Sequence, residues 1–311
     1  MTADNGPSFR RTSPTGGFVE ADGLEWYRID GYDHLDPFLV NVVTPTDQWM
    51  YVSSSGALTA GRRSAEGSLF PYETDDRLHR ASGRVGPVTI IRVGDEGWRP
   101  FAADVPFGRV TRSILKTTSG DRLRFEERHS GLGLTFRYTW AAADRFGFVR
   151  SCELLRHEGL EPVEVAVLDG LTDVLPSGVE PAAQASRSTL VDAYRRSELD
   201  VPSGLALFTL EALVSDRPEP AESLRAATIW SSGLPDPVIA LSDRQARAFL
   251  SGEHLAPEHL VTGRKGGFFV SASATAAADA PISWMMAADV EMDHAGVARL
   301  REWLLSAAPH R

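Results

Sequence analysis

Apolar residues recur at every second position through most of this chain, and that period governs what it can fold into. LEWYRI, TIIRV, RLRFEERH, GLGLTFRYTW, FGFVRSCELLRH, VEVAVLDGL, LALFTLEAL, AATIW, GFFVSAS and ISWMMAADV alternate or run apolar between Gly, Pro, Asp and Ser punctuation. A period of two sends successive side chains to opposite faces of a strand, so the chain reads as strand-rich. Ser130-Gly131 separates the runs Arg122 to His129 and Leu132 to Ala141, which predicts a hairpin with a tight turn. At 311 residues and 42% hydrophobic composition the chain can bury a large core, as one large all-β domain or two smaller ones. So many strands cannot close one small sheet. The expected fold is mainly β, a large two-sheet antiparallel sandwich with a few short helices.

Helical signals are few and late. Ser242 can cap DRQARAFLSG, which ends at Gly252, and Asp293 can cap HAGVARLREWLLSA, whose Val297, Leu300 and Leu304 share a face. Two readings of this last helix, which also carries the exposed-type Trp303, stay open: it packs back onto the sandwich, or it links to a further domain. The expected organisation is a Gly/Pro/Ser/Thr-rich tail over residues 1–17, a sandwich over 18–291 and a carboxyl-terminal helix over 292–311.

The formal net charge of −10 is spread along the sequence, which argues against nucleic acid as a partner. No window approaches a transmembrane span, and the amino-terminal residues lack the apolar run of a signal peptide, so a cytoplasmic protein without membrane association is expected. A single cysteine, Cys152, permits no internal disulfide and no Cys-rich metal site, and its place in FGFVRSCELLRH suits a small residue in a strand core. His254 and His259 are the only histidines close in sequence, and a spacing of five does not align two ligands on one helical face. No metal and no cofactor is expected. GxSxG, HExxH, the phosphate loop and the Rossmann glycine fingerprint are all missing.

The stretch from Phe38 to Asp76 places aromatics, carboxylates and arginines on strand-and-turn sequence. Flat aromatic faces stack on the C–H patches of sugars, while carboxylate and guanidinium groups hydrogen-bond the hydroxyls. Trp49, Tyr51, Tyr72, Arg62, Arg63, Asp75 and Asp76 are therefore the candidate carbohydrate-binding residues. The same aromatics would also serve as sheet core, and the arginines as partners of backbone carbonyls at a turn. Asp75 with Asp76, Glu126 with Glu127, and Asp192 with Glu198 and Asp200 are paired carboxylates, but neighbours on a strand point to opposite faces, and no catalytic pair is assigned. LVDAYRRSELD reads as a strand leaving the core for a polar edge, where Arg195 and Arg196 form internal ion pairs or Tyr194 touches a sugar or a neighbouring domain.

The segments DPFLVNVVTPTDQWMYVSSSGALTAGRRSAEGSLFPYETDD, VLDGLTDVLPSGV, LVDAYRRSELD, AESLRAATIW and SWMMAADV resemble the amino-terminal β-sandwich of large bacterial proteins related to cellobiose phosphorylases and cyclic β-glucan-processing enzymes. The resemblance covers about residues 20 to 305, and its most specific parts are the turn from Trp49 to Gly56, the following Ala57 to Arg63, and Phe70-Pro71-Tyr72 leading to Asp75-Asp76. It implies a galactose-mutarotase-like supersandwich, a linker helix, and an (α/α) barrel that holds the catalytic carboxylates. This chain departs from that pattern in having no barrel sequence. The implied role is a non-catalytic module of a glycoside hydrolase or glycoside phosphorylase, with an oligosaccharide or β-glucan, the barrel and a second copy as possible partners. Two rivals stay open: a mutarotase or epimerase using His129 and Glu211 as acid and base, and a structural module that binds only its catalytic half.

Overall fold

The alternating runs become strands that pair antiparallel throughout the computed structural model, which describes residues 13–103, 108–211 and 224–307. In chain order the strands are β1 (Thr15–Ala21), β2 (Leu24–Asp30), β3 (Leu39–Val42), β4 (Gln48–Ser53), β5 (Leu58–Arg62), β6 (Gly86–Val93), β7 (Glu96–Trp98), β8 (Val110–Thr117), β9 (Arg122–His129) and β10 (Leu134–Ala143). They continue with β11 (Gly147–Arg156), β12 (Val163–Val174), β13 (Arg195–Asp200), β14 (Leu205–Leu210), β15 (Arg225–Ser232), β16 (Val238–Ala240), β17 (Leu260–Thr262), β18 (Gly266–Ala276) and β19 (Ile282–Asp293). The helices are α1 (Asp75–His79), α2 (Pro181–Ser186), α3 (Ser188–Tyr194), α4 (Asp243–Leu250) and α5 (His294–Ala307).

One layer is a single sheet ordered β1-β2-β8-β9-β10-β11-β19-β15-β14-β13-β17. The facing layer is divided into a five-stranded sheet, β16-β18-β12-β6-β7, and a three-stranded sheet, β3-β4-β5. The mainly β sandwich expected from the period is therefore present, with its second layer split. Inward positions of β10 and β11 (Phe136, Tyr138, Trp140, Phe148, Leu154) meet those of β12 and β18 (Val167, Leu171, Phe268, Val270) in one apolar core, to which Met50, Val52 and Leu58 of the small sheet also belong. Burial of each such side chain contributes roughly 1.5–3 kcal/mol.

Both layers carry a helix on their outer face. Ala246 and Phe249 of α4 pack on Ile90, Leu168 and Phe269 of the five-stranded sheet. Ser242 stands at the α4 N-cap but donates its hydroxyl to Glu258 Oε1 at 2.9 Å. Asp293 does cap α5, its Oδ1 accepting the Gly296 N–H at 2.7 Å. α5 lays Val297, Leu300 and Leu304 against Leu205, Trp230 and Ala287, so the helix packs back onto the sandwich. Trp303 is not the exposed residue its polar neighbours suggest: its ring sits 4.8 Å from Phe146 and 5.5 Å from Trp230.

Other expectations need correction. β9 and β10 do form a hairpin, but Leu134 pairs with His129, leaving a four-residue loop, Ser130 to Gly133, in place of a two-residue turn. Gly133 takes φ +62 there, a conformation glycine adopts without strain. Helices also occur mid-chain. Pro181 at the first turn of α2 was the available signal, and LVDAY of the segment read as a strand lies in α3, with only Arg195–Asp200 extended. β1 begins at Thr15, inside the segment read as a tail, and residues 1–12 of that segment lie outside the described residues.

Candidate functional site

In β4 the pleat sends Gln48, Met50 and Val52 inward and Trp49 and Tyr51 outward. The cross-strand partner of Trp49 is Gly61, and the indole lies so close over it that a Cβ there would come within 2.6 Å of Trp49 Cζ2. A glycine opposite the indole leaves room for the ring to approach the β5 backbone. Tyr72 meets Trp49 edge-on at 5.6 Å, and the Tyr51 ring lies 6.4 Å from the indole, tilted by 38°. Tyr51 is 46% and Tyr72 52% exposed, so two exposed phenol rings adjoin a half-buried indole on the outer face of the small sheet. Leu39 and Val43, also exposed, lie on and just beyond the edge strand β3.

The polar candidates divide. Arg62 donates from Nε and Nη2 to Asp289 Oδ1 and Oδ2 at 2.7 and 3.0 Å, and from Nη1 to Asp47 Oδ1 at 2.6 Å. Its fork is engaged in tying the small sheet to β19. Arg63 is 66% exposed at the side chain, with Asp47 Oδ2 at 3.1 Å and Glu291 at 3.7 Å. Asp75 and Asp76 start α1; Asp75 accepts the Asp76 N–H at 2.8 Å, and the Thr74 hydroxyl bonded to Asp76 holds that carboxyl below its usual range. Trp49, Tyr51 and Tyr72 thus form one surface, Arg63 is an exposed cation just past the end of β5, and Arg62 faces inward.

The acid and base of the epimerase reading do not meet. His129 is on β9 and Glu211 follows β14, five strand positions apart in the large sheet, a separation of roughly 24 Å at about 4.8 Å per strand. His129 is 4% exposed and its Nδ1 accepts the Leu132 N–H at 3.1 Å. Burial pulls its pKa below the usual histidine value despite the nearby Glu96 and Glu127. Glu211 pairs loosely with Arg196 at 3.9 Å.

Glu126 and Glu127 do face opposite ways. Glu126 accepts from Arg28 at 3.0 Å, whereas fully buried Glu127 collects Trp98 Nε1, the Phe101 N–H and Arg112 Nε at 2.6 to 2.7 Å. Among the carboxylates of the α3–β13 segment, Asp192 pairs with Arg195 at 2.9 Å, Glu198 with Arg196 at 2.8 Å, and Asp200 with Arg301 of α5 at 3.0 Å. These are internal ion pairs. His254 and His259 belong to no group of three metal-ligating side chains among the described residues.

One buried constellation lies outside the sequence candidates. Arg150 on β11 and Asp169 on β12 are both fully buried and joined at 2.7 Å, with Thr89, Trp284 and Cys152 around the same carboxylate. Burial works against the Arg150 charge, and Asp169 more than offsets it, so its pKa is raised. Burial pushes the Cys152 thiol well above its ordinary value, leaving it unreactive. The available signal was an arginine and an aspartate at core-phase positions in VRSCELL and VAVLDGL.

No family model and no curated protein matches this sequence. Similar solved structures include a protein assigned as a kojibiose phosphorylase from human microbiome, with TM-score 0.40, 8% identity, and 88% of this chain and 28% of that one covered. Heparinase III gives TM-score 0.37 and 10% identity over 82% of this chain and 35% of its own. A bacterial glucoamylase complexed with acarbose gives 0.38 and 7% over 88% and 36%. The chain spans about a third of the length of these carbohydrate-active enzymes. No functional property transfers at these scores.

Proposed function

We propose that this chain is a carbohydrate-associated β-sandwich module that contributes a sugar-facing surface, and not an acid–base pair, to a glycoside hydrolase or glycoside phosphorylase. The observation that carries this reading is the outward cluster of Trp49, Tyr51 and Tyr72, in which two exposed phenols adjoin an indole that lies close over Gly61. Rings held in place by the sheet present their faces with little loss of side-chain freedom when a sugar stacks on them. Arg63, just past β5, and Asp75 and Asp76, three and four residues after Tyr72, are the polar groups this reading assigns to sugar hydroxyls, and Arg62 ties the small sheet to β19. The topology proposed is galactose-mutarotase-like, and the partner an (α/α) barrel that supplies the catalytic carboxylates.

A docking role for the same face is favoured by Leu39 and Val43, exposed at 40% and 49% beside the aromatic cluster. Calorimetric titration with β-1,2-, β-1,3- and β-1,4-linked gluco-oligosaccharides separates the two. Binding that is lost in a Tyr51→Ala/Tyr72→Ala variant supports sugar recognition, and silence toward all three linkages removes it in favour of docking.

A further inference from the structure

A second surface lies on the outer face of the five-stranded sheet. Between that sheet, α4 and the turn at Gly83-Arg84 is a cleft of about 390 Å³, a volume at the lower end of small-molecule sites. Val88, Ile90 and Leu250 give it an apolar side. Its charged lining is Arg84, Arg99, Arg247 and Lys265 against Asp173 and Asp243, an excess of two cations in a protein whose net charge is −10. It shares no lining residue with the aromatic cluster.

Both carboxylates are already engaged. Asp173, buried, takes Lys265 Nζ at 2.6 Å and Arg195 Nη1 at 3.4 Å. Asp243 takes Arg247 at 3.6 Å across one helical turn, with the two side chains 62% and 75% exposed. An exposed pair of that kind contributes little, so Arg247 can change partners at small cost. The backbone is unusual at the same place. A bulge between Thr172 and Val174 in β12 leaves Asp173 at φ +55, a left-handed conformation that a non-glycine residue adopts at some cost and that recurs at ligand sites. That bulge aims Asp173 at Lys265, which places the ammonium at the cleft wall.

We propose that this cleft binds a small anionic ligand, a phosphate, sulfate or carboxylate carried on a compact ring, with Arg84, Arg247 and Lys265 holding the anion and the Val88–Ile90–Leu250 side receiving the ring. Guanidinium groups bind such oxygens through paired charge-assisted hydrogen bonds, and an apolar wall beside them strengthens each one. The site goes beyond the sugar-facing surface proposed above and does not depend on it.

The test is calorimetric titration of the full chain at low ionic strength with glucose 6-phosphate, glucose 6-sulfate, glucuronate and neutral glucose. Saturable binding of at least one anion, undetectable binding of glucose, and a loss of about ten-fold or more in an Arg84→Glu/Arg247→Glu variant is the expected result. Both residues are exposed, and a Leu250→Trp variant, which fills the cleft without touching its charge, should also abolish binding. If none of the anions binds, if glucose binds as well, or if Leu250→Trp leaves binding intact, the proposal is overturned.

Discussion

Arg150 and Asp169 join the two layers through the middle of the core: Arg150 Nη1 lies 2.7 Å from both oxygens of Asp169, and neither side chain is exposed. The guanidinium also stacks 4.4 Å from the Tyr138 ring and donates to Thr89, whose own hydroxyl returns to Asp169. A charge pair this enclosed is stable only as a pair. Arg150→Met should cost about 3–5 kcal/mol by leaving the Asp169 charge buried without its counter-charge, while Arg150→Met with Asp169→Leu should recover most of that loss. Urea denaturation of the single and double variants measures both, and equal losses in the two would contradict the account.

Gly61 is required by the surface above it. An alanine Cβ would sit 2.4 Å from the Gly67 carbonyl oxygen and 2.9 Å from Ser68 Cα as well as against the Trp49 ring, and the two backbone atoms cannot yield locally. Gly61→Ala should destabilise the protein by about 1–3 kcal/mol. It should also lift the indole, read as a changed near-ultraviolet circular dichroism signal that Trp49→Phe removes.

His129 sets an acid limit on stability. Burial holds its folded pKa below the unfolded value of 6.5, and its Nδ1 accepts the Leu132 N–H as a neutral imidazole does. The unfolded chain therefore binds more protons than the folded one in the window below pH 6.5, and stability falls as pH drops through it. His129→Gln should flatten the dependence of the urea midpoint between pH 7 and about pH 5. An unchanged slope would exclude His129 as its source.

The carboxyl-terminal helix is held by its apolar face and by an ion pair from Arg301 to Asp200. Leu304→Ala should cost about 2–5 kcal/mol if α5 unfolds only with the sandwich. If instead α5 is a separately labile unit, amide exchange in residues 294–307 should accelerate without moving the global midpoint.

Much of this architecture is legible in the period of two. That Trp49 and Tyr51 share one face, and that Glu126 and Glu127 take opposite faces, follows from the pleat alone, because each depends only on sequence neighbours, whereas which face is outward depends on the packing of the layers. Partners across the fold do not. Arg62 reads as a surface arginine until Asp289, distant in sequence, arrives beside it, and Arg150 and Asp169 are each isolated until the layers close. The split of the second layer is hidden for the same reason, since pairing partners and not strand patterns decide where one sheet stops. α3 escaped because LVDAY carries too short an apolar pattern to separate a helical turn from a strand.

Saturation-transfer NMR on the purified chain with β-linked gluco-oligosaccharides, followed over hours in the same tube, tests the central claim most directly. The account predicts transfer from aromatic protons to the sugar, with binding weakened by about 1 kcal/mol, roughly five-fold in Kd, for each of Tyr51→Ala and Tyr72→Ala, and with the anomeric signals unchanged throughout. Absence of transfer from every oligosaccharide, or progressive loss of the glycosidic anomeric signals, would contradict it.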